Sequence, residues 1–98
     1  MSWLARARAR DVVVAAEPDV VLMHGVAVLR RLGARITRYD AEAGTAEARL
    51  RRFARPALIR LRAEADGAVT RLRVETDALV WAPMFRRFRG DVLLLERL

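Results

Sequence analysis

Cysteine is absent from this chain, and so are lysine, asparagine and glutamine, while histidine and serine occur once each, as His24 and Ser2. Each absence removes a class of chemistry. Without cysteine there is no disulfide framework, no thiolate nucleophile and no sulfur ligand for a metal. A single histidine allows neither a histidine pair nor a second ring around which to build a triad, so a metal would rest on isolated acids. Ser2 falls in residues 1–4, a stretch expected to fray. The aspartates and glutamates show no pair spaced for acid–base work, and the five glycines are isolated, so no phosphate-cradling loop occurs. The expectation is a protein that is not an enzyme and holds no metal and no cofactor.

Long apolar runs are missing as well. The longest stretch without Asp, Glu or Arg is Val20 to Leu29, far short of the ~20 apolar residues a membrane-spanning helix needs. The opening MSWLARARARDVVVAAEP is basic, but its apolar run extends only from Val12 to Ala16 and follows Asp11, so it fails as a signal peptide. These features read as a cytoplasmic protein with no membrane span, and the lack of cysteine is compatible with a reducing compartment.

What is present is one domain's worth of chain. At 98 residues, residues 1–98 can bury about 65% of the surface exposed when unfolded, which limits the protein to one modest core. Hydrophobic residues make up 54% of the chain, with charges spread along its length, a composition that is neither disordered nor repetitive. The net charge of +7 arises from 19 basic residues against 12 acidic ones, and every basic residue is arginine. A coding bias toward arginine and alanine would produce the same excess, so placement matters more than number.

Arg6, Arg8 and Arg10 alternate with alanines and lead into VVVAA, which predicts a first strand within residues 5–16. Pro18 suits the first turn of a helix, Glu17 and Asp19 complement that end, and Gly33 marks its stop. The helix between them would turn Val21, Leu22, Gly25, Val26, Leu29 and Leu32 toward the core. ARITRYD and TAEARLRRF, joined through AEAG, predict a hairpin with Ala34, Ile36, Ala46, Ala48 and Leu50 inward. LIRLRAEADGAVTRLRVE predicts a second, with Ile59, Leu61, Ala63, Leu72 and Val74 inward. After Pro83, the spacing of Met84, Phe85, Phe88, Val92, Leu95 and Leu98 predicts a C-terminal helix, with Gly90 unfavourable inside it. The order β-α-β-β-β-β-α defines an α+β two-layer sandwich, an antiparallel sheet of about five strands with two helices on one face.

With that order, and with LGARITRYDAEAGTAEARL followed by IRLRAEADGAVTRLRVETD and a terminal helix, the chain resembles compact helix-grip (START-like) and TATA-binding-protein-like domains of small bacterial proteins of unknown function. The resemblance covers residues 17–98 and rests on element order and on Gly33, Asp40, Gly44 and Asp66-Gly67. It implies a fold used for binding and association, and it carries over no active residues.

Three functional readings follow. In the first, the outward sheet face binds an anionic partner, either a polyanion or an acidic protein, through Arg35, Arg49, Arg60, Arg62, Arg71 and Arg73. A two-residue turn at Asp66-Gly67 would set Leu61 opposite Leu72, Arg62 opposite Arg71 and Arg60 opposite Arg73. Tyr39 opposite Thr45 would set Arg35 against Arg49, and a tight link at FARP would set Arg49 against Arg60. With Arg51 the face counts seven arginines against Glu47, Glu64 and Glu75, a balance of +4 that would hold most of the net charge. Tyr39 and Phe53 on that face could stack bases, although without Asn or Gln any nucleic-acid contact would be led by the backbone and blind to sequence. The competing interpretation is a solvated face whose arginines pair with nearby glutamates.

In the second reading, the small inward residues Ala34, Ala46, Ala48, Ala63, Ala65 and Ala68 leave a space for an apolar ligand, with Thr70, Thr76 and Asp91 as polar groups beside it. The alternative is close helix packing. In the third, Val20, Met23 and Ala27 on the back of the first helix, with Trp81 and Leu93, form the contact of a homodimer that leaves both basic faces outward.

Overall fold

A computed structural model provides the fold and describes residues 8–52, 55–76 and 81–97. Ser2, Phe53 and Leu98 lie outside the described residues, as does the side chain of Trp81. The elements run β1 (Arg8–Val14), α1 (Pro18–Arg31), β2 (Arg35–Asp40), β3 (Thr45–Arg52), β4 (Arg55–Asp66), β5 (Val69–Thr76) and α2 (Trp81–Leu93), closing on a 3-10 turn at Leu94–Arg97. The strands form one antiparallel sheet in the order β1-β5-β4-β3-β2. β2 to β5 are a meander of neighbours, and β1 pairs with the far side of β5. The chain therefore leaves one sheet edge, crosses in α1 and re-enters at the other.

α1 forms where its ends are marked. Pro18 occupies the first turn, where its missing N–H has no intrahelical partner, and Asp19 and the pair Arg30 and Arg31 complement the helix dipole at opposite ends. Gly33 adopts φ +96°; its N–H donates to the Arg30 carbonyl at 3.0 Å, and the Ala34 N–H donates to the Leu29 carbonyl at 2.9 Å. This paired closure requires the left-handed conformation that glycine supplies without strain.

Alternation decides the sheet's inner face. Val12 and Val14 of β1, Ala46, Ala48 and Leu50 of β3, Ile59, Leu61 and Ala63 of β4, and Leu72 and Val74 of β5 are buried in a single core beneath the helices. Gly25 lets α1 approach closely. A Cβ placed there would stand 3.2 Å from Leu61 Cδ1 and 3.3 Å from Leu72 Cδ2. Val28 is buried although the apolar stripe of α1 did not include it. It lies on the flank shared with His24, whose Nε2 is 3.1 Å from the Asp91 carbonyl of α2, so the second helix widens the covered arc.

α2 begins at Trp81, two residues before Pro83, which is accommodated in the first turn. Phe85, Phe88 and Val92 are buried, Met84 and Leu95 half-buried, and Leu93 packs partly against the core instead of standing exposed. Arg10 of β1 lies over the Phe85 ring, with Cζ 5.6 Å from its centroid. Gly90 is exposed, and a Cβ added there meets nothing within 4 Å. Gly90→Ala is therefore expected to stabilise the protein by up to about 1 kcal/mol, seen as a rise in Tm of roughly 4–8 °C per kcal/mol in a thermal melt.

The expected alanine lining is only partly inward. Ala34, Ala46, Ala48 and Ala63 are buried, but Ala65 and Ala68 are exposed because they sit at the far end of the second hairpin. Two of the three polar candidates are engaged. Thr70 Oγ1 donates to the Ala16 carbonyl at 2.6 Å, Thr76 is buried and engaged, and the Asp91 carbonyl meets His24. With Glu96 Oε2 accepting from the Ala15 N–H at 2.9 Å, the Thr70 bond secures the turn from β1 into α1.

Candidate anion-binding face

The sheet's outer face is built by strands whose registers differ in part from those expected. The second hairpin turns at Gly67-Ala68, with Gly67 at φ +64°, and Asp66 pairs with Val69. Relative to a turn at Asp66-Gly67 this is a shift of two residues, which leaves every apolar side chain on its own face. What changes is who stands opposite whom. Leu61 faces Val74, Arg60 faces Glu75, Glu64 faces Arg71, and Arg62 faces Arg73. Two expected arginine-arginine oppositions become one, and two arginine-glutamate oppositions appear. Opposite charges directly across a ladder stabilise it by a few tenths of a kcal/mol to about 1, and like charges cost a similar amount.

β3 and β4 also pair differently, with Arg49 opposite Leu58 and Glu47 opposite Arg60. The expected row of Arg35, Arg49, Arg60 and Arg73 does not form. Arg60 instead sits between Glu47 on β3 and Glu75 on β5, and its Nη2 donates to Glu47 Oε1 at 3.1 Å.

In the first hairpin Arg35 does face Arg49, but a β-bulge between Ile36 and Arg38 shifts the rest of the pairing. Tyr39 faces Ala46 instead of Thr45, and Arg38 faces Glu47. Residues directly opposite share a face, so Tyr39 is turned to the helix side while Arg38 joins the outer face. The proposed stacking beside the arginines thereby loses Tyr39, and Phe53 lies outside the described residues. The turn Ala41–Gly44 is held by the Ala43 N–H donating to Asp40 Oδ1 at 3.0 Å. Gly44 takes φ +70°, and its carbonyl accepts the Ala63 N–H at 2.8 Å.

By these registers the outer face carries Arg35, Arg38, Arg49, Arg51, Arg60, Arg62, Arg71 and Arg73, eight arginines, against Asp11, Asp40, Glu47, Glu64, Asp66 and Glu75, six acids, a balance of +2. The expected +4, and with it most of the protein's charge, does not sit there. Other exposed arginines lie elsewhere, including Arg86, Arg87 and Arg89 on α2.

The face divides in two. On β4 and β5 the arginines are matched. Arg71 Nη2 is 2.8 Å from Asp66 Oδ2 and its Nη1 is 3.6 Å from Asp11 Oδ2; Arg62 is 3.7 Å from Glu64, and Arg73 is 3.6 Å from Glu75. The Asp66 hydrogen bond and charge, then the Asp11 charge, hold the Arg71 guanidinium above its ordinary pKa. These pairs are solvent-exposed and individually worth little. At the β2–β3 corner the opposite holds. Among the described residues, no carboxylate lies within ion-pair distance of Arg35, Arg38, Arg49 or Arg51. All four are exposed, and Arg35 and Arg49 stand directly opposite each other.

Of the six arginines expected to contact an anion, Arg35 and Arg49 thus belong to the uncompensated corner, and Arg60, Arg62, Arg71 and Arg73 to the matched half. Sequence reasoning missed Arg38, because a bulge has no alternation signature, and missed Asp11 and Asp66 as partners. The Asp66-Arg71 spacing across a tight turn could have suggested the second pair. Val20, Met23 and Ala27 are exposed on α1 as expected.

Among the described residues no group of three or more His, Cys, Asp or Glu could hold a metal ion, and no helix is long and apolar enough to cross a membrane. Scanned against protein-family models and against curated proteins, the sequence matches none.

Proposed function

We propose that this protein is a non-enzymatic binding module that holds a polyanionic chain, in the first instance a nucleic-acid backbone, against the uncovered face of its sheet. The observation that carries the reading is the corner of Arg35, Arg38, Arg49 and Arg51, four exposed arginines on neighbouring strands of which none lies within ion-pair distance of a carboxylate among the described residues, while the rest of the face is paired. Folding stability alone gains nothing from opposing Arg35 to Arg49. A row of phosphates gains from both. Planar guanidinium groups present paired donors to phosphate oxygens, which an anion could exploit without any base contact. Arg60 lies next to the corner across β3 and β4, and Arg62, Arg71 and Arg73 lie further along the face; the four form a secondary contact, available as an anion competes for their carboxylate partners. The resemblance to helix-grip and TATA-binding-protein-like domains belongs to the same proposal, as does the absence of catalysis.

The test is binding of labelled single- and double-stranded DNA across a salt series, on protein stripped of nucleic acid. Wild type is expected to bind at low salt, with log affinity falling linearly in log salt. Combining Arg35→Gln, Arg49→Gln and Arg51→Gln removes three surface cations, leaves the core intact, and should flatten the slope by about 2.7 on duplex, at ~0.9 per phosphate contact. Absence of binding at low salt, or an unchanged slope in the triple variant, would refute the proposal.

A further inference from the structure

We infer that the outward face of α1 is a two-fold contact with a second copy of this chain, the two helices lying antiparallel. The face carries one apolar stripe, Val20, Met23 and Ala27, at the i, i+3, i+7 spacing that keeps residues on one side of a helix. It points away from the sheet, since Val21, Leu22, Val26 and Leu29 occupy the buried side. Met23 is 64% exposed and Val20 44% exposed, an apolar surface that a solvated helix would fill with charge. The stripe is bracketed by opposite signs, with Asp19 in the first turn and Arg30 and Arg31 in the last.

That sequence along the face is complementary to its own reversal. A two-fold axis passing beside Gly25 sets Met23 against the partner's Ala27, so a long flexible side chain meets a small one from each side. It sets Val20 along the apolar stem of the partner's Arg31, and Asp19 against the partner's Arg30, which lies on the same flank of the stripe. Every favourable contact occurs twice, as an isologous interface requires. A parallel arrangement would oppose like charges at both ends, so the charges select the orientation as well as the partner. One helix face buries less than the ~800 Å² per partner of a standard stable interface, so the association is expected to be reversible. The inference does not rest on the polyanion reading, because it uses another face and another readout.

Sedimentation equilibrium across a concentration series tests it. Wild type is expected to show a reversible monomer-dimer equilibrium, and Met23→Glu, an exposed position that the fold tolerates, should be monomeric throughout. Asp19→Arg alone and Arg30→Asp alone should each weaken association roughly tenfold, since symmetry counts each change twice. The chain carrying both substitutions should regain the wild-type constant. A protein monomeric at every concentration overturns the inference, as does a dimer indifferent to Met23→Glu or a double variant no better than the singles. Circular dichroism of each variant confirms that the fold persists.

Discussion

Replacing Phe88 with alanine is expected to destabilise the protein by about 3–5 kcal/mol, the usual range for deleting a buried aromatic ring. Among the described residues Phe88 is the largest of the fully buried side chains, at 0% exposure. Its ring belongs to α2 and reaches α1, with Cζ lying 3.8 Å from where a Cβ on Gly25 would stand. On the α1 side the space is bounded by a glycine, which has no side chain to move into it. A domain of this size commonly has ~5–15 kcal/mol of stability in total, so the variant should melt tens of degrees lower or be partly unfolded at room temperature. Urea denaturation followed by circular dichroism reads the loss directly. A change below about 1 kcal/mol would mean that α2 is not seated on the core as described.

Gly25→Val is the complementary error, too much volume in place of too little. Gly25 is helical with no left-handed φ, so its backbone accepts valine, and the obstacle is the sheet below. The first added carbon already comes within 3.2 Å of Leu61 and 3.3 Å of Leu72, and the two methyls of valine have no room unless α1 lifts from β4 and β5. Overpacking of this kind costs about 1–3 kcal/mol, partly offset by valine's better helix propensity relative to glycine. Because Phe88 borders the same space, Gly25→Val combined with Phe88→Leu should cost less than the two single changes added together, a coupling expected for residues that share a cavity. Strict additivity in that cycle would show that the contact is absent.

The legibility of this fold divides along physical lines. Gly25 could be placed on the core face, and Gly33 at the helix stop, because helical period and left-handed conformations leave marks in sequence. The inward strand residues were readable for the same reason. Register was not, because alternation of period two is unchanged by a shift of two, and Asp66-Gly67 and Gly67-Ala68 are both admissible turns. What separates them is small: Arg60 finds Glu75 and Arg71 finds Glu64 in one, and arginines face arginines in the other. The bulge before Arg38 escaped notice because it inserts a residue without altering composition, and it moved Tyr39 off the outer face. The basic surface was therefore legible as a face but not as a map. Its uncompensated corner emerges only once Arg60, Arg62, Arg71 and Arg73 have each been seen beside an acid.

The position of β1 has a consequence for how the protein is made. Among the described residues its strand partner is β5, and the pairing of Val12 with Leu72 spans about sixty residues of chain, whereas β2 to β5 each meet a neighbour across a short connection. Loop closure is costly until distant contacts repay it. The meander should therefore organise first, with α1 laid across it, and β1 should dock last. During synthesis Val12, Val13 and Val14 emerge before their partner and have no strand to join until Val69–Thr76 has followed. The strand made before its partner is the one completed at the end, and in that interval it is the part of the fold most open to capture by other molecules.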